Sequence, residues 1–252
     1  MSKKKCLGTK KSRGISYIMK ILALSHFDKN FQKLKDIVVP HNLEYFSKYK
    51  IEFTLFNGGF DDLISDEYNG ELRNYWTKLC LAYNCMKTRS DIDWIFVLDG
   101  DAIFCDFDID LRTIIKMSDK HKEFIVCCLD SSSEDSYWNI NAGILLFKNT
   151  EFMKHVLSQA IAIAKEYQFN ISDQVLLQNI LRRNMFNIRE KTEIFPNRAF
   201  NHGDENAFIY HACGISTTNQ NLAFATENKE QDLLRVIEIV KEKNENTLRS
   251  TL

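Results

Sequence analysis

The sequence predicts an α/β fold with a Rossmann-like, mainly parallel central sheet and helices on both of its faces. Three observations carry this. Strand-length apolar runs alternate with stretches of helical spacing, in the order strand, helix, strand, helix, strand up to residue 98. The run Trp94-Ile95-Phe96-Val97-Leu98 is apolar throughout, as a strand covered on both faces must be. Finally, 252 residues with 44 % hydrophobic content give a core large enough for one α/β domain.

Residues 1–18 lie outside that pattern. Lys3, Lys4, Lys5, Lys10, Lys11 and Arg13 stand in a polar setting and read as a basic, disordered tail, with contact to anionic lipid as its alternative role. The single folded domain is then 19–252. Its first strand covers 21–24, and Ser25-His26-Phe27-Asp28-Lys29-Asn30 follows as a loop. Leu34, Ile37, Val38, Leu43 and Phe46 are spaced as a helix over 31–49, which Pro40 is expected to split or restart. An alternating strand over 51–56 stops at Asn57-Gly58-Gly59. Leu72, Tyr75, Trp76, Leu79, Tyr83 and Met86 then mark an amphipathic helix over 71–87, ahead of the apolar strand 94–98.

The second half continues in the same manner. A helix is expected over 111–117, a strand over 124–129, a polar loop over 130–135 and a strand over 144–147. Helices over 152–167 and 173–181 follow, then a short strand over 208–211 and a terminal amphipathic helix over 231–243 with a frayed polar tail.

Composition narrows the function classes. A formal net charge of -1 with 27 % charged residues offers no bulk attraction to nucleic acid or to an anionic membrane, so a small-molecule partner is expected. Seven cysteines, most of them inside apolar runs and none in a Cys-x-x-Cys pair, read as reduced core thiols. No run approaches the roughly 18–20 apolar residues of a membrane span, and no apolar signal-peptide core stands at the N-terminus. These features together predict a cytoplasmic location.

Chemistry concentrates first at Asp99-Gly100-Asp101, directly after the most apolar strand, because ligands of open α/β sheets collect beyond the carboxyl ends of strands. Two carboxylates supply hard oxygen ligands for Mg²⁺ or Mn²⁺ against a diphosphate, and Gly100 permits the tight turn between them. The competing reading is a plain turn, since Asp and Gly favour turns anywhere.

Further segments resemble a known family. Residues 94–102 are similar to the metal-binding Asp-x-Asp segment of GT-A glycosyltransferases, and Asn139-Ile140-Asn141-Ala142-Gly143 resembles their Asn-x-Gly segment. Ser172-Asp173-Gln174 resembles the Asp-Gln that opens a helix near the reacting sugar, and His211-Ala212-Cys213-Gly214 resembles the late His-x-x-Gly. Tyr75-Trp76-Thr77-Lys78-Leu79 is similar to the Trp-x-Lys helix of family 34, the galactosyl, xylosyl and mannosyl transferases. The glycogenin-like family 8 is the second choice, because its Lys-Pro-Trp ending is replaced here by Ile215-Ser216-Thr217.

The resemblance implies a metal-dependent transferase that moves a hexose or pentose from a nucleotide-sugar, UDP-linked rather than GDP-linked, to a glycan or lipid-linked acceptor. It also implies retention of configuration, with front-face and double displacement both open. Asp99, Asp101 and His211 would hold Mn²⁺ or Mg²⁺. Lys78 would reach the phosphates, and Ser25 with the loop to Asn30 would contact the nucleotide. Asn141 and Gly143 would shape the sugar pocket, Gly214 would complete the late motif, and Asp130 would be a sugar-hydroxyl ligand. Asp173 and Gln174 would stand beside the anomeric carbon, and Tyr137 and Trp138 would form an acceptor platform.

Each role has a plainer competitor. Lys78 also reads as a solvated helix lysine, Asp173 as a helix-start residue, and His211 as an ordinary core or surface histidine. Eukaryotic members of the family it resembles are typically anchored by an N-terminal membrane helix that this sequence does not show, and a bacterial or viral cytoplasmic enzyme is therefore expected. A nucleotidyltransferase would need a Gly-rich phosphate loop near the first strand, and none stands there. A sugar-binding protein that has lost turnover is the remaining alternative.

Overall fold

The computed structural model describes residues 18–64, 68–129, 136–197, 206–212 and 222–250, with the side chains of the last helix described over 228–246. In chain order the elements are β1 (Ile21–Phe27), α1 (Gln32–Tyr49), β2 (Glu52–Asn57), the single turn α2 (Phe60–Leu63), α3 (Thr77–Thr88), β3 (Trp94–Leu98), β4 (Ala102–Phe104) and α4 (Leu111–Met117). There follow β5 (Phe124–Cys128), β6 (Ile140–Lys148), α5 (Glu151–Glu166), α6 (Asp173–Arg182), β7 (Thr192–Phe195), β8 (Ile209–His211) and α7 (Leu222–Ser250). Of the basic tail 1–18 all but residue 18, and the loop 130–135, lie outside the described residues.

Six strands form the main sheet in the order β2-β1-β3-β6-β5-β7. β6 runs antiparallel to both of its neighbours, and the other three pairings are parallel. The α/β architecture with a mostly parallel sheet is therefore the observed one. Period-2 alternation sorts the strand residues between two cores. Ile21, Ala23, Phe96 and Leu98 join α1, α4 and α7 on one face, packed on Leu34, Tyr45, Phe46, Ile114 and Val236. Leu22, Leu24, Ile95 and Val97 face α3, α5 and α6, packed on Trp76, Leu79, Val156, Leu157 and Ile180. Cys80, Cys105, Cys127 and Cys128 are buried in these layers.

Several elements differ from the expectations. α1 runs unbroken through Pro40. Pro40 and Asp36, the residue whose carbonyl would receive the missing N–H, are both exposed, so that carbonyl is not buried without a partner and the proline is tolerated. Around that point Leu34, Val38, His41, Asn42, Tyr45 and Phe46 keep one continuous buried face. The helix expected from residue 71 opens as a 3-10 turn, Arg73–Trp76, and becomes α-helical at Thr77. β1 continues to Phe27 rather than ending at Leu24, because Ser25, His26 and Phe27 pair with Leu55, Phe56 and Asn57 of β2. β6 starts at Ile140, earlier than expected, and α7 starts at Leu222.

Two short strands were not expected from the sequence. β7 is a four-residue, mostly half-buried edge strand. β4 lies just past the acidic turn and pairs antiparallel with β8 in a small second sheet, Ala102 opposite His211.

Candidate active site

Asp99, Gly100 and Asp101 form the turn between β3 and β4. Ala102 N donates to Asp99 O at 3.1 Å and closes the turn, and Asp99 N donates to Gly143 O at 2.8 Å and ties it to β6. The Phe27 ring packs on Gly100, where a Cβ would stand 2.8 Å from a ring carbon, so a side chain at 100 would have to displace the ring.

β8 delivers the third group. Ala212 N donates to Asp101 O at 3.0 Å, extending the β4–β8 ladder to the turn. His211 Nε2 thereby lies 3.1 Å from Asp101 Oδ1 and 3.9 Å from Asp99 Oδ2. One ligand atom from each of Asp99, Asp101 and His211 falls within 4.8 Å of the others. This donor set, two carboxylates and an imidazole, fits a hard-to-borderline divalent cation such as Mn²⁺ or Mg²⁺.

Gly143 makes room for the imidazole. The β5–β6 pairing shifts register between Val126 and Cys127, which pair with Leu145 and Asn141, so Ala142 to Ile144 leave the β5 ladder. There the His211 ring lies so close that a Cβ on Gly143 would sit 2.0 Å from ring Cε1. Asn141 Oδ1 accepts from Gly143 N at 2.7 Å and fixes the same bend.

A buried charge network surrounds the cluster. Lys78, only 5 % exposed, is no solvated helix lysine. Its ammonium stands 2.8 Å from Asp99 Oδ1 and 3.1 Å from Asp173 Oδ2. Burial pulls the lysine down, but Asp173 and then Asp99 more than restore it and keep it protonated. Asp173 is 2 % exposed at the start of α6, behind the Ser172 cap whose Oγ accepts from Val175 N. Burial, aided by the Asp99 charge, pushes its carboxyl up against the pull of Lys78. One ammonium between two acids leaves the deeper acid under-compensated, and Oδ2 of Asp173 is within ion-pair range yet out of line for a hydrogen bond.

Asp101 has both oxygens engaged, Oδ1 facing His211 and Oδ2 paired with Lys229 of α7. Burial pushes Asp101 up, while the His211 charge and hydrogen bond and the Lys229 ammonium hold it well below the usual carboxylate range. Lys229 was not expected from the sequence, and His26 was expected only as one residue of the loop from Ser25 to Asn30. His26 Nδ1 is buried with no hydrogen-bond partner among the described residues, and burial holds the ring below its usual pKa despite the nearby Asp99 charge. Lys229 meets Asp101 across 128 residues of chain, a separation that local spacing does not register.

The other expected residues divide. Gln174 Oε1 accepts from Ala142 N at 3.1 Å, which brings Asp173-Gln174 and Asn141-Gly143 together. Ser25 is 5 % exposed within β1, and the nearby cleft of about 580 Å³ starts at Phe27, with Asp28, Asn30, Asn57, Gly59, Arg73 and Asn74 among its lining residues. Phe27 joins that cleft to Gly100. Tyr137 and Trp138 are not bare platforms, since Arg189 and Arg182 lie over their rings at 4.1 and 5.3 Å. Asp130 and Gly214 lie outside the described residues.

With this geometry in place, relatives can be set beside it. No family model matches the chain. A solved glycosyltransferase involved in the glycosylation of the major capsid of PBCV-1 superposes over 84 % of this chain and 99 % of its own, with a TM-score of 0.63 at 14 % identity. The galactosyltransferase LgtC, solved with donor and acceptor sugar analogs, covers 84 % of this chain and 95 % of its own, with a TM-score of 0.52 at 13 % identity. The fold is the GT-A type. By sequence, xyloglucan 6-xylosyltransferase 4 of Arabidopsis thaliana is 28 % identical over 131 residues, 51 % of this chain. Probable glycosyltransferase 6 of Oryza sativa subsp. indica is 26 % identical over 117 residues, 44 % of this chain. Each of these matches spans 23 % of the curated relative's length.

Proposed function

We propose that the chain is a metal-dependent glycosyltransferase, one catalytic domain over 19–252, that moves a hexose or pentose from a UDP-sugar to a glycan or glycolipid acceptor with retention of configuration. One observation carries the reading: two carboxylates and an imidazole from the β3–β4 turn and β8 converge within 4.8 Å, beside a cleft of about 580 Å³ at the carboxyl ends of β1 and β2. Asp99, Asp101 and His211 would hold Mn²⁺ or Mg²⁺, which would supply neutralisation of the departing diphosphate. The similarity to a xylosyltransferase supports family 34 over family 8. Among the described residues no helix is long and apolar enough to cross a membrane, and the cytoplasmic setting remains part of the proposal.

The protein's own groups have distinct tasks. Asp101 is kept ionised by its cationic neighbours and stays available as a hard oxygen ligand across the neutral range. Lys78 fixes Asp99 against Asp173 and so holds the metal side and the sugar side at one spacing. Gln174 is anchored to the Ala142 backbone, where it and Asp173 would border the transferred sugar.

Calorimetry of UDP-sugars and GDP-mannose with and without Mn²⁺ tests this reading. Mn²⁺-dependent binding of a UDP-sugar is expected, and Asp101→Ala should weaken it by about a hundredfold or more while the protein remains folded. Wild-type protein that binds no nucleotide in the presence of Mn²⁺, or an Asp101→Ala affinity equal to wild type, overturns the reading. NMR of the product anomer decides between retention and inversion.

A further inference from the structure

α6 carries a stripe that leads away from the reacting end of the site. Gln174, Gln178 and Arg182 recur at four-residue spacing and therefore share one helix face, spanning about 12 Å along the axis. Their contacts follow the chain outward in step: Gln174 meets Ala142 N, Gln178 donates to Asn139 Oδ1 and Ile140 O, and Arg182 lies over the Trp138 ring. Beyond it, Arg189 covers Tyr137 at 4.1 Å.

The two arginines are held differently. Arg189 spends its donors on the carbonyls of Leu181 and Arg182, so it closes the end of α6 and backs the Tyr137 ring. Arg182 is exposed, and among the described residues no carboxylate pairs with it and no acceptor takes its guanidinium N–H groups. The cation–π contact consumes none of the guanidinium N–H groups, which bind carboxylate or phosphate bidentately.

The geometry points to an acceptor subsite for an anionic sugar chain, in which Arg182, held over the Trp138 ring, pairs with a carboxylate or phosphate carried one or two sugars from the reacting hydroxyl. The subsite rests on the glycosyltransferase reading above for its role, but its ligand chemistry is readable without turnover. Uronate and sugar phosphate present the same anionic oxygens, and binding measurements can separate them.

The test titrates full-length protein, loaded with Mn²⁺ and UDP, with tetragalacturonate, with pentamannose 6-phosphate and with neutral cellotetraose. Arg182→Gln is compared with Arg183→Gln, which removes the same charge from the next residue, an exposed arginine that lies over no aromatic ring among the described residues. At least one anionic oligosaccharide should bind more tightly than cellotetraose, and Arg182→Gln should weaken it about tenfold while Arg183→Gln leaves it unchanged. Whichever anionic ligand binds names the source of the charge. No preference for either anion over cellotetraose, or equal losses in the two variants, overturns the subsite and leaves only unspecific charge attraction. UDP binding with Mn²⁺ is measured on the same samples. Its absence would remove the donor reading alone, because the Arg182-dependent anion response is scored separately.

Discussion

Position 143 shows how far a single residue governs this site. A β-carbon there would meet the His211 ring at 2.0 Å, and the backbone at 143 is held on two sides by Asp99 N and Asn141 Oδ1, so the ring and not the strand must yield. Gly143→Ala should therefore swing His211 away from Asp101 and weaken Mn²⁺ binding by about tenfold or more, while costing the fold little. Electron paramagnetic resonance of free Mn²⁺ reads the affinity, and a melt reads the fold; wild-type affinity in this variant would show that His211 is no ligand. Asp99, Asp101, Gly143, Asp173 and His211 were all legible in the sequence, because each sits in a short motif next to a recognisable strand or helix. Lys229 and the burial of Lys78 were not. Both depend on pairing through space, and an isolated lysine in a polar helix has the same local pattern whether it faces water or a carboxylate.

At the scale of elements, α1 steers the acidic turn through β4. Asn42 acts as a surrogate strand partner, donating to Ala102 O at 2.9 Å and accepting from Phe104 N at 3.2 Å, and His41 Nε2 donates to Phe104 O at 2.7 Å. Asn42→Leu keeps the branched shape but orphans two buried backbone groups of β4, at a cost of about 1–3 kcal/mol for each. Because β4 pairs with β8, the same variant should lower Mn²⁺ affinity; denaturant melts and Mn²⁺ titration check the two effects, and a stability equal to wild type would remove Asn42 from this role. This layer explains why the short strands escaped sequence reading. β4 has three residues and no alternation long enough to count, and its partner on one side is a helix side chain. The long elements were legible because their apolar period persists over several turns, as in α1, where the buried face overrode the proline signal.

Across the whole molecule, the two hydrophobic layers have unequal relations to the site. The layer with α3, α5 and α6 draws its buried residues from Leu22 to Ile188 and holds Lys78, Asp173 and Gln174. The opposite layer is completed by α7, whose Leu233, Val236, Ile237 and Val240 pack against the α1 side of the sheet, one turn beyond the residue that pairs with Asp101. Loosening α7 should therefore reach the metal ligands, whereas an equal loss in the other layer should not. Leu233 and Leu157 are both fully buried leucines, so truncating either to alanine removes the same atoms and costs about 2–5 kcal/mol. At a temperature where both variants stay folded, Leu233→Ala is expected to bind Mn²⁺ more weakly than wild type and Leu157→Ala to bind it equally well. Equal affinities in the two would mean that α7 serves the core alone. Weaker binding confined to Leu233→Ala would show that the last helix, packed on the face away from Lys78, sets the position of the charge opposite Asp101.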